Sequence, residues 1–261
     1  MKQVAAAKIR RAEALQKQSR PYADTIEEML RDLIAAVGTL EHPYLKPGPA
    51  GKPAGVILMT ADKGLAGAFN SNAVRAADEY RRAEPNGVVW YSVGIKGRNV
   101  IRRGQSEIVQ FWPQAEGTRI DLARRIAARV GEDFSSGAIA KVTLISQRLV
   151  SLMVQRPEVR ELIPIVRPAE APTAAGAVEF EPDAESVLAR LLPKYLEVAI
   201  FSALLETDAA FFAAQLLAMT NATDNAGKLI DELTLVMNKT RQAAITKEIL
   251  EIVGGAEALK G

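Results

Sequence analysis

One tract constrains the fold more than any other feature: from Pro182-Asp183 to about Val253 only Pro193 and Gly227 interrupt a helix-compatible sequence. At 1.5 Å per residue, an unbroken helix over residues 183–253 would run to roughly 105 Å. A globular body built from a chain of 261 residues has no room to bury such a rod, so the tract is expected to project and to need a partner. The opposite end of the chain offers one. From Met1 to about Leu40 the sequence reads as a single helix with Pro21 inside it, and Ile26, Leu30, Leu33, Val37 and Leu40 recur at steps of four and three. That spacing is the apolar seam of a coiled coil, and Glu27, Glu28, Arg31 and Asp32 take the other faces. Prolines 43, 47, 49 and 53 end it. Because a different kind of sequence separates the two ends, antiparallel pairing of 1–40 with 183–261 is the expected geometry.

The middle, about residues 54–167, changes period. Val56–Met59, Val88–Tyr91 and Val142–Ile145 are short apolar runs rich in β-branched residues and read as buried strands. Helical stretches at Asn72–Ala83 and Arg119–Phe134 lie between them, and Glu161–Val166 reads as a further edge strand. Strand alternating with helix predicts a central Rossmann-like α/β domain with a partly parallel sheet. Residues 167–186 read as a loop with Pro168, Pro172 and Pro182, holding Glu170, Glu179, Glu181, Asp183 and Glu185 and no base after Arg167.

Composition narrows the chemistry. The absence of cysteine removes disulfides, thiolate metal sites and cysteine nucleophiles, and a single histidine, His42, leaves too few imidazoles for a histidine-rich metal site. A net charge of +2 argues against a strongly basic nucleic-acid binder. The middle is locally basic, with Gly94-Ile95-Lys96-Gly97-Arg98 read as a small basic loop and Arg102, Arg103, Arg119, Arg124, Arg125 and Arg129 beyond it. With little aromatic interleaving, a solvated helix face accounts for these charges better than single-strand stacking does. No stretch reaches the ~18 uncharged apolar residues of a spanning helix. An alanine-rich, aromatic-poor composition suits closely approaching helices.

Two segments stand out. Thr60–Asn72 follows a strand and precedes a helix, where α/β folds often hold phosphate, yet neither G-x-x-x-x-G-K-[ST] nor G-x-G-x-x-G is present. The reading favoured is structural: Asp62 as a local cap beside Lys63, Gly64 and Gly67 for tight backbone, Asn70 or Asn72 as N-cap. The second is the C-terminal tract. Thr220, Asn221, Thr223 and Asn225 are poor helix formers placed mid-helix, and Ile245, Ile249 and Ile252 form a seam further on.

The run from Ala218 to Ala226, followed by Asn238-Lys239-Thr240-Arg241-Gln242-Ala243-Ala244-Ile245-Thr246-Lys247-Glu248 and on to Ala256, closely resembles the C-terminal signature of the gamma subunit of the rotary F-type ATP synthase. Residues 60–72 resemble the loop Thr-Ser-Asp-Arg-Gly-Leu-Cys-Gly…Asn-x-Asn of that family, and Val4–Ala12 with Arg20-Pro21-Tyr22 resemble its first helix. The resemblance implies a non-catalytic central stalk without cofactor or metal. It implies an antiparallel coiled coil inserted into a ring of alpha and beta subunits, and an α/β domain joined to the epsilon subunit and the membrane c-ring. The whole would lie at the cytoplasmic face of the bacterial cell membrane, and the complex would couple ion transport to ATP synthesis. It places Arg241, Gln242, Thr246 and Glu248 against loops of the catalytic subunits, and Ile249, Ile252, Val253 and Leu259 in the tip that turns within an apolar collar. The sequence departs from the family at Lys63 and Ala66, where many members have Arg and Cys, and around Phe211, Phe212 and Gln215, where Glu and Arg are commoner. The family usually begins several turns earlier, so against it this N-terminus reads as shortened. The alternative is a stand-alone α/β nucleotide- or phosphate-binding module that uses Asp62 and Lys63, with the helices as a dimerisation arm.

Overall fold

The computed structural model describes residues 1–36, 42–165 and 183–258. Helix α1 spans Lys2–Ala36. Strands β1 (Ala54–Met59), β2 (Val88–Val93), β3 (Ile108–Trp112), β4 (Lys141–Ser151) and β5 (Val154–Ile163) alternate with helices α2 (Phe69–Ala83), α3 (Ile95–Arg103) and α4 (Arg119–Ser135), and α5 runs over Ala184–Ala258. The chain divides into two compact units, residues 1–217 and 218–261.

In the first unit the five strands order as β3-β2-β1-β4-β5. β1 lies parallel to both β2 and β4, β3 parallel to β2, and β5 antiparallel to β4. Strand alternation assigns the two faces. Ile57, Met59, Tyr91 and Val93 face a core shared with Leu30 and Leu33 of α1, Leu122, Ile126 and Val130 of α4, and Leu188, Leu192, Leu196 and Leu204 of α5. Val56, Leu58 and Trp90 face the opposite way, onto Ala73 and Ala77 of α2 and Ile101 of α3. The sheet is therefore covered on both faces, which is why its central strands read as continuous apolar runs.

α1 runs antiparallel to the first part of α5. Its end, with Ile26, Leu30, Leu33 and Ile34, shares the core with Leu188–Leu204, while Lys8 near its start lies over the Phe212 ring at 5.5 Å. The α1 contacts described here lie along α5 from Leu188 to Phe212, within the first unit. Val37, Leu40, residues 167–182 of the expected 167–186 loop, and Leu259 lie outside the described residues.

Three sequence expectations change. Residues 94–98 open helix α3 instead of forming a loop. Two glycines depress helix propensity there, but Gly97 is required: a Cβ would lie 2.8 Å from Thr60 Oγ1 and 2.9 Å from its Cγ2. β3 is an additional short edge strand. The expected strand 161–166 is the inner end of β5, whose outer part is polar and exposed and so carries no apolar run.

Candidate functional site

In an open parallel sheet, ligands bind beyond the strand C-termini where strand order reverses. Here that place lies between β1 and β4, and the residues present decide what fills it. Thr60, Ala61 and Asp62 follow β1 directly and serve the first turn of α3 one amide at a time. Asp62 Oδ1 accepts from Ile95 N at 3.0 Å, Ala61 O from Lys96 N at 3.1 Å, and Thr60 Oγ1 from Gly97 N at 2.8 Å. The helix has no side-chain cap of its own, since Gly94 (φ +89°) precedes it. Three consecutive residues from another loop thus satisfy donors that a phosphate would otherwise meet. A carboxylate at a helix N-terminus also suits the helix dipole. The second oxygen of Asp62 accepts from Ala115 N at 2.9 Å, tying in the loop after β3.

The expected roles within 60–72 are redistributed. Ala68, not Asn70 or Asn72, stands at the N-cap of α2. Asn70 lies inside the helix and reaches back, its Oδ1 accepting from Ala61 N at 2.9 Å and its Nδ2 donating to Lys63 O at 3.4 Å. Asn72 is a helical residue whose amide bonds to Ala68 O at 2.8 Å. Asp62 caps α3 rather than its own neighbourhood. Gly67 takes positive φ (+54°), but the other left-handed position is Leu65 (φ +62°), not Gly64. Lys63 is exposed.

The rest of the crevice is taken by α5. Thr207, fully buried, accepts from Gln147 N at 3.4 Å and directs its hydroxyl at Met59 Sδ, 3.8 Å away. Gln147 Nε2 donates to Phe69 O at 3.2 Å. Ala61, Ala66 and Phe69 pack on Ala210, Phe211 and Ala214, with Phe69 and Phe211 edge to face at 5.4 Å. The residues at which the sequence departs from the family pattern therefore lie on and beside this aromatic plug. Arg119, the first residue of α4, grips Asp208 with two nitrogens, Nε–Oδ2 at 2.5 Å and Nη2–Oδ1 at 3.2 Å, and donates Nη1 to Gln114 O. Burial holds the Asp208 carboxyl above the usual carboxylate range, opposed by the Arg119 guanidinium and reinforced by the Asp62 charge.

In the second unit the geometry is that of a helix. Every side chain described from Asn221 to Ala256 is exposed, including Leu229, Ile230, Leu233, Leu235, Val236 and Met237 at 54–63%. Successive residues turn by about 100°. Gln242, Thr246, Ile249 and Val253 therefore form one stripe, and Arg241, Glu248 and Ile252 form its neighbour, so the seven described candidates share one side of the helix. Lys247 and Glu251, paired at 3.6 Å, lie on the other side. Thr223, Thr234 and Thr240 return their hydroxyls to carbonyls four residues back at 2.7–2.9 Å, which lets these poor helix formers stay helical. This last device is invisible in propensity scales.

A Rossmann-like body with its crevice closed from within, anchoring a helix rich in exposed apolar side chains, belongs to the class of structural shafts, not of nucleotide-binding modules. Comparison with known proteins agrees. The ATP synthase family model matches residues 1–259. The ATP synthase gamma chain of Moorella thermoacetica is 42% identical over 261 residues, covering 100% of this chain and 92% of that one. Those of Pelotomaculum thermopropionicum (43%) and Sphingopyxis alaskensis (42%) likewise align over 92% of their own lengths. Among solved structures, a central-stalk chain of the Tetrahymena thermophila mitochondrial ATP synthase superposes with a TM-score of 0.66 at 23% identity, over 85% of this chain and 97% of that one. A chain from the OSCP/F1/c-ring structure of the Euglena gracilis mitochondrial ATP synthase gives 0.61 at 18%, over 97% and 95%.

The chain belongs to the ATP synthase gamma chain family. It is a central-stalk subunit of the F-type ATP synthase, coupling rotation to ATP synthesis and hydrolysis, and it is non-catalytic. None of its described helices is long and apolar enough to cross a membrane; it is a subunit of a membrane-bound complex.

Proposed function

We propose that this chain turns as the shaft inside a ring of alternating alpha and beta subunits, with its α/β body joined to the epsilon subunit and the membrane c-ring, at the cytoplasmic face of a bacterial cell membrane. The observation that carries this reading is the second unit, where exposed large apolar side chains run along a helix from Leu229 to Val253. Water alone is a poor environment for such a surface, and a surrounding ring of partners is a good one. Full-length identity to bacterial gamma chains supports the same partners.

Along both stripes the labour divides by position, polar residues first and apolar residues toward the end of the helix. Arg241, Gln242, Thr246 and Glu248 offer donors and acceptors to loops of the catalytic subunits. Ile249, Ile252 and Val253, with Leu259 beyond the described residues, offer a surface without strong directional bonds, which can slide within an apolar collar. Because the polar groups lie on one side of the helix, each catalytic subunit meets a different face as the shaft turns. A different contact free energy biases each subunit toward a different affinity for nucleotide, and rotation carries that bias around the ring.

The test is Gln242→Leu in the assembled complex. ATP synthesis driven by an ion gradient is expected to fall, while the purified variant chain keeps its helical content. Unchanged synthesis by an assembled Gln242→Leu complex overturns the assignment.

A further inference from the structure

A shaft transmits torque only if its helix cannot twist independently of the body that drives it, and beyond the leucine-rich start of α5 its packing turns to small side chains. Past Leu204 and Leu205, four of the five apolar α5 residues buried between Ala209 and Ala214 are alanines, Ala209, Ala210, Ala213 and Ala214, with Phe211 the fifth. Small side chains allow close approach, but they present few knobs that resist rotation of a helix about its own axis. Apolar contact is also non-directional.

Directional contacts occur at adjacent residues. Asp208 is held from α4 by two nitrogens of Arg119, with side-chain exposures of 16% and 27%. Thr207, turned about 100° around the helix, is held from the sheet by Gln147 N and Met59 Sδ. Eleven residues earlier, almost back on the azimuth of Asp208, Glu197 accepts from Arg124 of α4 at 3.1 Å and from Lys194 at 2.9 Å. Arg119 is itself fixed, since its third nitrogen donates to the Gln114 carbonyl. The same loop is secured at Ala115 N by Asp62, whose other oxygen caps α3. The grip on Asp208 thus leads back into the body on both sides of the loop after β3.

We propose that the bidentate Arg119–Asp208 pair, with Thr207 as its orthogonal stop, is the torsional clamp through which twist on the α/β body passes into α5. Arg119 and Asp208 are positioning residues: they touch no nucleotide and act by fixing the azimuth of the helix. A planar guanidinium engaged by two nitrogens resists rotation of its partner in a way that a single hydrogen bond or an ammonium does not. The inference rests on the reading of the chain as the rotor shaft.

The experiment uses the whole ATP synthase containing this chain, with a bead or gold rod attached to the α/β body and the catalytic ring fixed to the surface. During pauses at limiting ATP, the width of the angular distribution reports torsional stiffness. Asp208→Asn keeps the side-chain shape and one acceptor oxygen but removes the charge and the second acceptor; with the two-pronged grip reduced to one bond, the angular distribution is expected to widen beyond that of the wild type. The unloaded ATP hydrolysis rate stays at the wild-type value, a combination that simple misfolding does not produce. Arg119→Lys, which keeps the charge and loses the planar fork, is expected to soften the shaft as well. The reversed pair, Arg119→Asp with Asp208→Arg, is expected to recover stiffness. Wild-type stiffness in Asp208→Asn overturns the proposal, as does a reversed pair that assembles and remains as soft as the single variants. If Asp208→Asn does not assemble, Arg119→Lys decides: wild-type stiffness refutes the clamp. A wild-type complex whose body-attached probe does not turn on ATP overturns the shaft reading instead, so the two failures are distinct.

Discussion

Replacing Asp62 by alanine removes one carboxylate and releases two backbone amides, Ile95 N at the start of α3 and Ala115 N in the loop after β3, now bonded at 3.0 and 2.9 Å. A hydrogen bond to a charged acceptor contributes about 1.5–3 kcal/mol net when shielded. Asp62 is only half-buried, so water recovers a good part of each bond, and loss of a comparable N-terminal cap costs about 1 kcal/mol. Two such bonds give about 2 kcal/mol for Asp62→Ala. Asp62→Asn keeps one acceptor oxygen and should cost about half as much. For a unit of roughly 200 residues, each kcal/mol moves the melting temperature by about 2–4 °C, so Asp62→Ala is expected to melt some 4–8 °C below the parent. Both tryptophans of the chain, Trp90 and Trp112, lie in β2 and β3 beside the tethered loops. Their fluorescence reports unfolding of the first unit without contribution from the second. Equal melting of Asp62→Ala and the parent would show that the three-residue cap is ornamental. Asp62→Asn melting below Asp62→Ala would show that the carboxylate acts by something other than accepting these bonds.

Two further perturbations test the packing around it. Gly97→Ala places a methyl 2.8 Å from Thr60 Oγ1 and 3.3 Å from Leu58 Cδ2; Gly97 N bonds to that same hydroxyl, so neither side can withdraw freely. Overpacking of this kind costs about 1–3 kcal/mol, read as a lower denaturant midpoint. Glu206 is held above the usual carboxylate range by burial, with the Glu158 charge adding to the effect. The folded state thus binds that proton more tightly than the unfolded chain, and stability is lost as pH rises out of the ordinary carboxylate range through the raised value. Glu206→Gln stays neutral and can still accept from the Leu149 amide that now serves the carboxylate. It should be more stable than the parent at about pH 8, with the gain shrinking toward about pH 4; a gain independent of pH would exclude ionisation as the cause.

What the sequence made legible depended on whether the responsible interaction was local. Strands β1, β2 and β4 announce themselves as unbroken apolar runs because both faces of the sheet are covered, and helices α2 and α4 because their apolar residues are spaced by three and four. β3 and the outer half of β5 do not, since one is a short edge strand and the other is exposed along most of its length. The 60–72 loop was identifiable as a special segment, but its bonds run to residues 33 and 53 positions away. No local spacing encodes a cap for a helix that begins after the next strand. The Arg119–Asp208 pair, 89 residues apart, is opaque for the same reason. On the last helix the residue stripes follow from periodicity alone and could be drawn before any coordinates, because a helix without tertiary packing obeys little else.

The same long-range bonds explain why a Rossmann-like topology here carries no nucleotide motif. A phosphate-binding loop needs glycines so that a ligand can approach its backbone, together with free amides at the next helix. This chain lacks the glycine pattern in that loop and spends the amides of α3, one strand further on, on Thr60, Ala61 and Asp62. It also admits Leu65, not glycine, at a left-handed position, with its side chain 60% exposed. The room beyond β1 and β4 holds Thr207 and the Phe69–Phe211 pair. A ligand would have to displace a helix that is bonded to α4 and to the sheet at once. Filling the crevice with the chain's own helix converts the most adaptable part of an α/β fold into its firmest anchor. A subunit that must pass twist to a long helix needs that firmness more than it needs a binding site.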